Sequence, residues 1–158
     1  MKYVFSFLFI ACFNSIVFSQ IVSIDPVFPT RDEMVTITYD ASQGNGGLVD
    51  VDQVYMHTGL ITNTSSSGSD WKFVVGNWGT DDPRVKMTNI GNNLHQLSYI
   101  INDFYGVSES VEIEKLAFVF RNVDGSKEGK TSQLQDIFLD FNSTEGFAAQ
   151  LISPTQQN

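Results

Sequence analysis

The chain is poor in the residues on which most catalytic and metal sites depend. Among its 158 residues there is one cysteine, at position 12, and there are two histidines, His57 and His95. The histidines have no HxxH or HExxH spacing, and no cysteine pair exists to complete a zinc site. No Gly-x-Ser-x-Gly nucleophile elbow is present either. We therefore predict that these residues form no enzyme active site and hold no metal or other cofactor.

Basic residues are also scarce. Nine Lys and Arg are set against 18 Asp and Glu, which gives a net charge of −9. Binding to nucleic acid or to an anionic membrane surface needs clustered Lys and Arg. We exclude nucleic acid as a partner on this ground, whereas a neutral ligand such as a sugar is compatible with an acidic surface.

Long apolar runs are absent except at the N-terminus. Residues 3–18, "YVFSFLFIACFNSIVF", follow Lys2 and precede the small residue Ser19, a pattern typical of a secretory signal peptide. The run is interrupted by polar residues and is shorter than the ~20 residues of a membrane-spanning helix. We predict cleavage after Ser19, a secreted or cell-surface protein, and no transmembrane segment in the mature chain. The sequence "FIAC", which ends at Cys12, leaves a lipoprotein signal as an alternative.

Helical periodicity is missing from the rest of the chain, and alternation of apolar and polar residues takes its place. The alternating stretches are residues 35–39, 71–75, 97–101 and 137–141, and "KLAFVF" (115–120) reads as a central strand. Only "NDFYGVSESV" (102–111) admits a helical turn. We predict an all-β, immunoglobulin-like antiparallel β-sandwich over residues 20–141. Residues 142–158 are predicted to be a linker or the start of a further domain in a longer protein.

The two tryptophans lie close together in "DWKFVVGNWGTDDP". Strand alternation predicts that Trp71, Phe73 and Val75 share one face, so Trp71 can be a core residue. Trp78 lies on a glycine-bearing turn, where an indole is either packed down as a plug or exposed to stack on a ligand such as a pyranose ring. The residues alone leave both alternatives open. His57 is interpreted as a strand-end histidine that becomes functional only if aromatic rings converge on it.

The loops contain patterns that relate to two other ligand classes, nucleotides and calcium. The segment "GSKEGKT" (125–131) imitates a phosphate loop, but three residues separate its glycines instead of four, and a strand pattern follows it. Nucleotide binding is therefore rejected. Calcium stays an alternative because acidic loops supply oxygen ligands. The candidate loops are "DVD" (50–52), Asp81 with Asp82, and "NVDGSKE" (122–128).

The order of motifs along the chain carries a family resemblance. The series "VYMHTG", "DWKFVVGNWG", "KMTNIGNNLHQLSYII", "LAFVFRNVDGSKEGK" and "QDIFLDF" resembles the immunoglobulin-like starch-binding carbohydrate-binding modules, as found N-terminal in secreted bacterial α-amylase-type proteins. The resemblance covers about residues 33–141. It implies that His57, Trp71 and Trp78 form a face that contacts α-linked glucose units.

The same resemblance implies a second set of ligand-binding residues. Arg121, Asn122 and Asp124 would lie near the opposite end of the same strands and contact sugar hydroxyls. The chain departs from the family pattern after the late "VF" strand, where a further tryptophan is replaced by "VDGSKEGK". Lys127 would then partly substitute as a hydrogen-bond donor, at a site with one stacking ring fewer.

The function expected from these patterns is that of a secreted, noncatalytic accessory module that binds α-glucan. One alternative is that the chain is the N-terminal fragment of an α-amylase-type glycoside hydrolase whose active site lies outside these residues. The other is a structural or adhesion β-sandwich with both indoles buried and no sugar site.

Overall fold

The computed structural model describes residues 20–141, the range predicted to form the sandwich. The predicted signal peptide at 1–19 and the predicted linker at 142–158 lie outside the described residues. No helix between residues 20 and 141 has the length and apolar character that a membrane crossing needs. The elements of this range are β1 (Val22–Asp25), β2 (Met34–Asp40), β3 (Tyr55–Thr62), β4 (Lys72–Val75), β5 (Thr88–Gly91), β6 (Leu94–Ile100), α1 (Ile101–Tyr105), β7 (Ile113–Arg121), β8 (Glu128–Gly129) and β9 (Ile137–Asp140).

The strands form two antiparallel sheets. The first has the order β1-β2-β6-β5, and the second has the order β4-β3-β7, with β8 and β9 both pairing with β7. This order is that of an immunoglobulin-like sandwich in which an extra strand, β4, extends the second sheet beside β3. The predicted all-β sandwich is therefore confirmed.

The core between the sheets follows from the alternation in the sequence. Val35, Ile37 and Tyr39 of β2 are fully buried, and so are Phe118 and Phe120 of β7. Burial of each such side chain contributes roughly 1.5–3 kcal/mol. The segment predicted to be a central strand lies within β7, which pairs with β3 on one side and with β8 and β9 on the other.

The connection between the two sheets contains the short helix α1, where a helical turn was predicted. The helix ends at Gly106, whose φ of 64° places it in the left-handed region. Tyr105 is buried, and its hydroxyl donates to Oγ1 of Thr58 at 2.7 Å, while Thr58 donates to the carbonyl of Ala117 at 2.7 Å. Burial raises the pKa of Tyr105 to about 12. The chain is thus tied to the second sheet where it crosses over.

The alternation predicted for Trp71, Phe73 and Val75 is wrong. Phe73 has a φ of 50°, and the pairing of β4 with β3 shifts register across this residue. Such a bulge inserts an extra residue, so Val75 is buried while Phe73 is 39% exposed. Trp71 lies with Val74 over Gly59 of β3, where an added Cβ would be 3.1 Å from Cβ of Trp71. Trp71 therefore covers the outer face of the sheet.

His95 is a buried histidine in the first sheet. It pairs with Tyr39 across β2 and β6 and is fully buried. Among the described residues, the two ring nitrogens of His95 have no hydrogen-bond partner. The buried hydroxyl of Tyr39 has none there either. Burial lowers the pKa of His95, although the nearby charge of Asp52 opposes this shift. The folded protein therefore favours the neutral imidazole.

We expect the free energy of unfolding to fall as the pH drops below about 6.5, the pKa of an unperturbed histidine. In this range the unfolded chain takes up a proton that folded His95 resists, so stability is retained above this pH and lost below it. The slope due to one group is at most about 1.4 kcal/mol per pH unit. Urea unfolding at a series of pH values measures it, and His95→Leu should flatten the curve. An unchanged slope in this variant would contradict the assignment.

Candidate functional site

The outer face of the second sheet carries its own set of covered residues. His57 of β3 pairs with Val119 of β7, and Gly59 pairs with Ala117. These positions alternate with the core residues and so face away from the first sheet. Ala117 and Val119 are nevertheless buried, which means that other side chains lie over them.

Four rings lie in sequence across this face, and we call them the aromatic row: Trp78, His57, Trp71 and Phe138. Trp71 stacks near His57, with centroids 5.9 Å apart and planes at 28°. Trp78 meets His57 edge-on at 5.4 Å and 88°, and Phe138 meets Trp71 edge-on at 6.4 Å and 79°. Trp78 is 43% exposed and Phe138 is 38% exposed. The row is open to solvent, and its two indoles are far from coplanar.

His57 lies near the centre of the row. The prediction that it ends a strand is wrong, because β3 continues to Thr62. Its Nδ1 donates to the carbonyl oxygen of Gly76 at 2.7 Å, since a carbonyl can only accept. In the neutral ring, Nε2 is then the acceptor. The condition set for this histidine in the sequence analysis, that aromatic rings converge on it, is met, because Trp71 and Trp78 flank it.

The segment that carries Trp78 is held firmly. The carboxylate of Asp82 is buried and accepts hydrogen bonds from the backbone N–H of Asn77 and from the guanidinium of Arg84. The bond to Arg84 keeps the pKa of Asp82 well below its usual range. Gly125 lies against the indole, because an added Cβ there would be 2.5 Å from Nε1 of Trp78. Trp78 is therefore neither a core plug nor a free side chain.

Arg121 does not have the role predicted for it. Its side chain is fully buried, and its guanidinium carbon lies 4.9 Å from the ring centroid of Tyr55 and 5.9 Å from that of Trp78. Burial lowers its pKa, although nearby acidic groups oppose the shift. Its two terminal nitrogens donate to the carbonyls of Asn122, Val123, Asn77 and Thr80 at 2.6–2.9 Å. Arg121 thus joins the two loops beneath Trp78 and has no exposed N–H for a sugar.

The remaining predicted residues lie in the turn after β7. Asn122 accepts a hydrogen bond from the backbone N–H of Lys127 and donates to the hydroxyl of Ser126. Asp124 accepts from the same hydroxyl, which lowers its pKa. The prediction that this group lies at the opposite end of the strands is wrong, because Gly125 contacts the exposed indole described above. The Lys127 side chain is exposed, and its ammonium has no partner among the described residues.

A cavity of about 370 Å³, which we call the first cavity, opens beside the aromatic row between His57 and Trp71. Its edges carry the hydroxyl of Ser69 and the carboxylates of Asp70 and Asp136. The Lys72 ammonium lies 2.8 Å from Asp70 and holds the pKa of that carboxyl near 2. The cavity combines ring faces with charged oxygen acceptors, a combination suited to a polar ligand that has apolar faces.

Phe138 and the two carboxylates of the first cavity were not predicted from the sequence. A signal for Phe138 was available, since Ile137 and Leu139 point inward and their neighbour must point outward. Asp70 and Asp136 precede strands that are far apart in sequence. They reach one cavity only because β4 pairs with β3, β3 with β7, and β7 with β9.

The acidic loops considered for calcium either lie apart from one another or have carboxylates that already accept hydrogen bonds from other side chains. Within residues 20–141, no group of three or more His, Cys, Asp or Glu is arranged to hold a metal ion. The carboxylate of Asp82 is bound by Arg84, and that of Asp124 by Ser126. Asp50 and Asp52 lie on a separate surface cavity with several asparagines.

Fold and site together define a β-sandwich with an open aromatic groove on the outer face of one sheet. Residues 22–128 match the family model described as Domain of unknown function (DUF8578), and the chain belongs to this family. The match includes His57, Trp71 and Trp78, whereas Asp136 and Phe138 lie beyond its last residue. A comparison with curated proteins gave no match.

Proposed function

We propose that this chain is a noncatalytic carbohydrate-binding module that takes an α-linked glucan on the aromatic row. The observation that carries the proposal is the exposed row itself, in which three rings flank the central His57 or each other at 5.4–6.4 Å. Indole and phenyl faces match the apolar C–H faces of pyranose rings. Carboxylates at the edge of the first cavity supply acceptors for sugar hydroxyls.

The angles between the rings favour an α-glucan over a flat glycan. Trp71 is nearly parallel to His57, but Trp78 is perpendicular to it, so the two indoles face different directions. A flat chain such as cellulose stacks best on coplanar rings. A curved α-1,4-linked chain turns from unit to unit and can meet rings whose planes turn as well. The resemblance to starch-binding modules points to the same ligand class.

The role of the chain in a larger protein follows from this function. An accessory module with no catalytic residues of its own would bring a polysaccharide to a catalytic domain elsewhere in the same polypeptide. Secretion through an N-terminal signal peptide would place it where such polysaccharides occur. We include both in the proposal, with a downstream α-amylase-type domain as the partner.

We expect the purified module to be retarded in native gels that contain amylose or glycogen and to migrate freely in gels that contain hydroxyethyl cellulose. Maltoheptaose should also protect tryptophan fluorescence from quenching by iodide, because the ligand would cover Trp78. Unhindered migration of the folded protein in both α-glucans would overturn the proposal. Such a result would favour a structural role, in which Trp71 holds the loop before β4 through the hydrogen bond from its Nε1 to the Gly68 carbonyl.

A further inference from the structure

We infer that the binding site continues past the first cavity into a second one, so that its ligand is a run of sugar units long enough to occupy both. This inference rests on the proposed function. The second cavity has a volume of about 360 Å³ and lies between Phe138 and Ile61 on the same face of the sheet. No sequence pattern had indicated it.

The two cavities lie side by side because they share the same two walls. One wall is the loop before β4, which gives Ser69 and Asp70 to the first cavity and residues 65–68 to the second. The other wall is the start of β9, where Asp136 lines the first cavity and Phe138 the second. A ligand lying between these walls passes from one cavity to the other.

The strand residues beneath the two cavities follow one another along β3 and β7. The first cavity lies over the pair His57 and Val119, and the second lies over the pair Ile61 and Lys115. Between them is the pair of Gly59 and Ala117, over which Trp71 lies. Since Gly59 has no side chain, Cβ of Trp71 can lie close to the backbone of β3 at this position. Trp71 lines the first cavity and Phe138 lines the second, and the two rings meet edge-on at 6.4 Å, so the cavities adjoin at this aromatic contact.

The chemistry of the second cavity resembles that of the first. Phe138 supplies a ring that is 38% exposed, and the serines of the loop supply hydroxyls that both donate and accept. At its edge the Lys115 ammonium lies 2.5 Å from a carboxylate oxygen of Asp140. This ion pair offers both a hydrogen-bond donor and a hydrogen-bond acceptor to sugar hydroxyls. A neutral glycan fits both cavities without a change in chemistry.

The experiment compares maltotriose with maltoheptaose by titration calorimetry. We expect the wild type to bind maltoheptaose at least about tenfold more tightly. Phe138→Ala should remove most of this preference, because it should lower the maltoheptaose affinity more than the maltotriose affinity. Phe73→Ala is the matched control, because Phe73 is 39% exposed and lines neither cavity. A longer sugar chain can bind in more registers, which raises the maltoheptaose affinity of every variant by the same factor. Comparing Phe138→Ala with Phe73→Ala cancels this factor.

A second variant guards against a folding defect in Phe138→Ala. Ser67 is exposed and lines the second cavity, so Ser67→Leu should block it and lower only the maltoheptaose affinity. Equal affinity of the wild type for both sugars, or an equal loss for both in the folded variants, would overturn the second cavity and leave the proposed function standing. If neither sugar binds, the proposed function itself is wrong.

Discussion

Replacement of Trp78 by alanine is expected to abolish retardation on amylose and to weaken maltoheptaose binding at least tenfold, or by about 1.4 kcal/mol. The indole is 43% exposed and forms one end of the aromatic row, so its loss removes a large stacking surface from the proposed site. The free energy of unfolding should change by less than about 1 kcal/mol. The segment around it stays anchored, since Arg121 and Asp82 bind its backbone. Calorimetry and urea unfolding measure the two quantities.

Trp78→Phe is the matched control for this change. It keeps a flat ring on the same anchored segment, so it should recover part of the affinity that Trp78→Ala loses. If Trp78→Ala binds maltoheptaose as tightly as the wild type, Trp78 is not a contact, and the ligand site would be confined to the part of the row around Trp71.

The sandwich could be predicted because the evidence for it is local. Alternation places Val35, Ile37 and Tyr39 on one face whatever their partners are, and the structure buries all three. The same rule would have placed Phe138 on the outer face, next to the inward Ile137. The outward position of this ring could therefore have been predicted from the sequence.

The candidate site could be predicted only in part, because its geometry depends on pairing between distant segments. The bulge at Phe73 follows from the register of β4 against β3, and the sequence of β4 alone does not indicate this register. It turns Trp71 outward, although simple alternation places this residue with Val75. The burial of Arg121 could not be predicted either, since an arginine at the end of a strand is usually exposed. Its burial follows from the two loops that fold over it.

Removal of the Arg121 side chain should produce the largest loss of stability that we predict. Arg121→Ala removes the charged donor of four hydrogen bonds to backbone carbonyls, and a hydrogen bond that involves a charged group contributes about 1.5–3 kcal/mol. Three of these carbonyls, those of Asn77, Thr80 and Asn122, keep a second donor. Some of these carbonyls will regain water, so we expect a total loss of about 3 kcal/mol or more. Urea unfolding measures it. The loop carrying Trp78 would also lose its anchor, so glucan affinity should fall although the indole is still present.

Two further variants separate this role from a simple effect of charge. Arg121→Lys keeps the charge, but its ammonium has three N–H donors on one atom and cannot reproduce the four hydrogen bonds that the planar guanidinium makes from two nitrogens, so we expect roughly half of the stability loss. Lys127→Ala removes an exposed cation from the same turn and should change the free energy of unfolding by less than about 0.5 kcal/mol. If Arg121→Ala unfolds at the same urea concentration as the wild type, Arg121 does not hold the two loops together. A fully stable Arg121→Lys would mean that charge, rather than the forked guanidinium beneath Trp78, holds the two loops together.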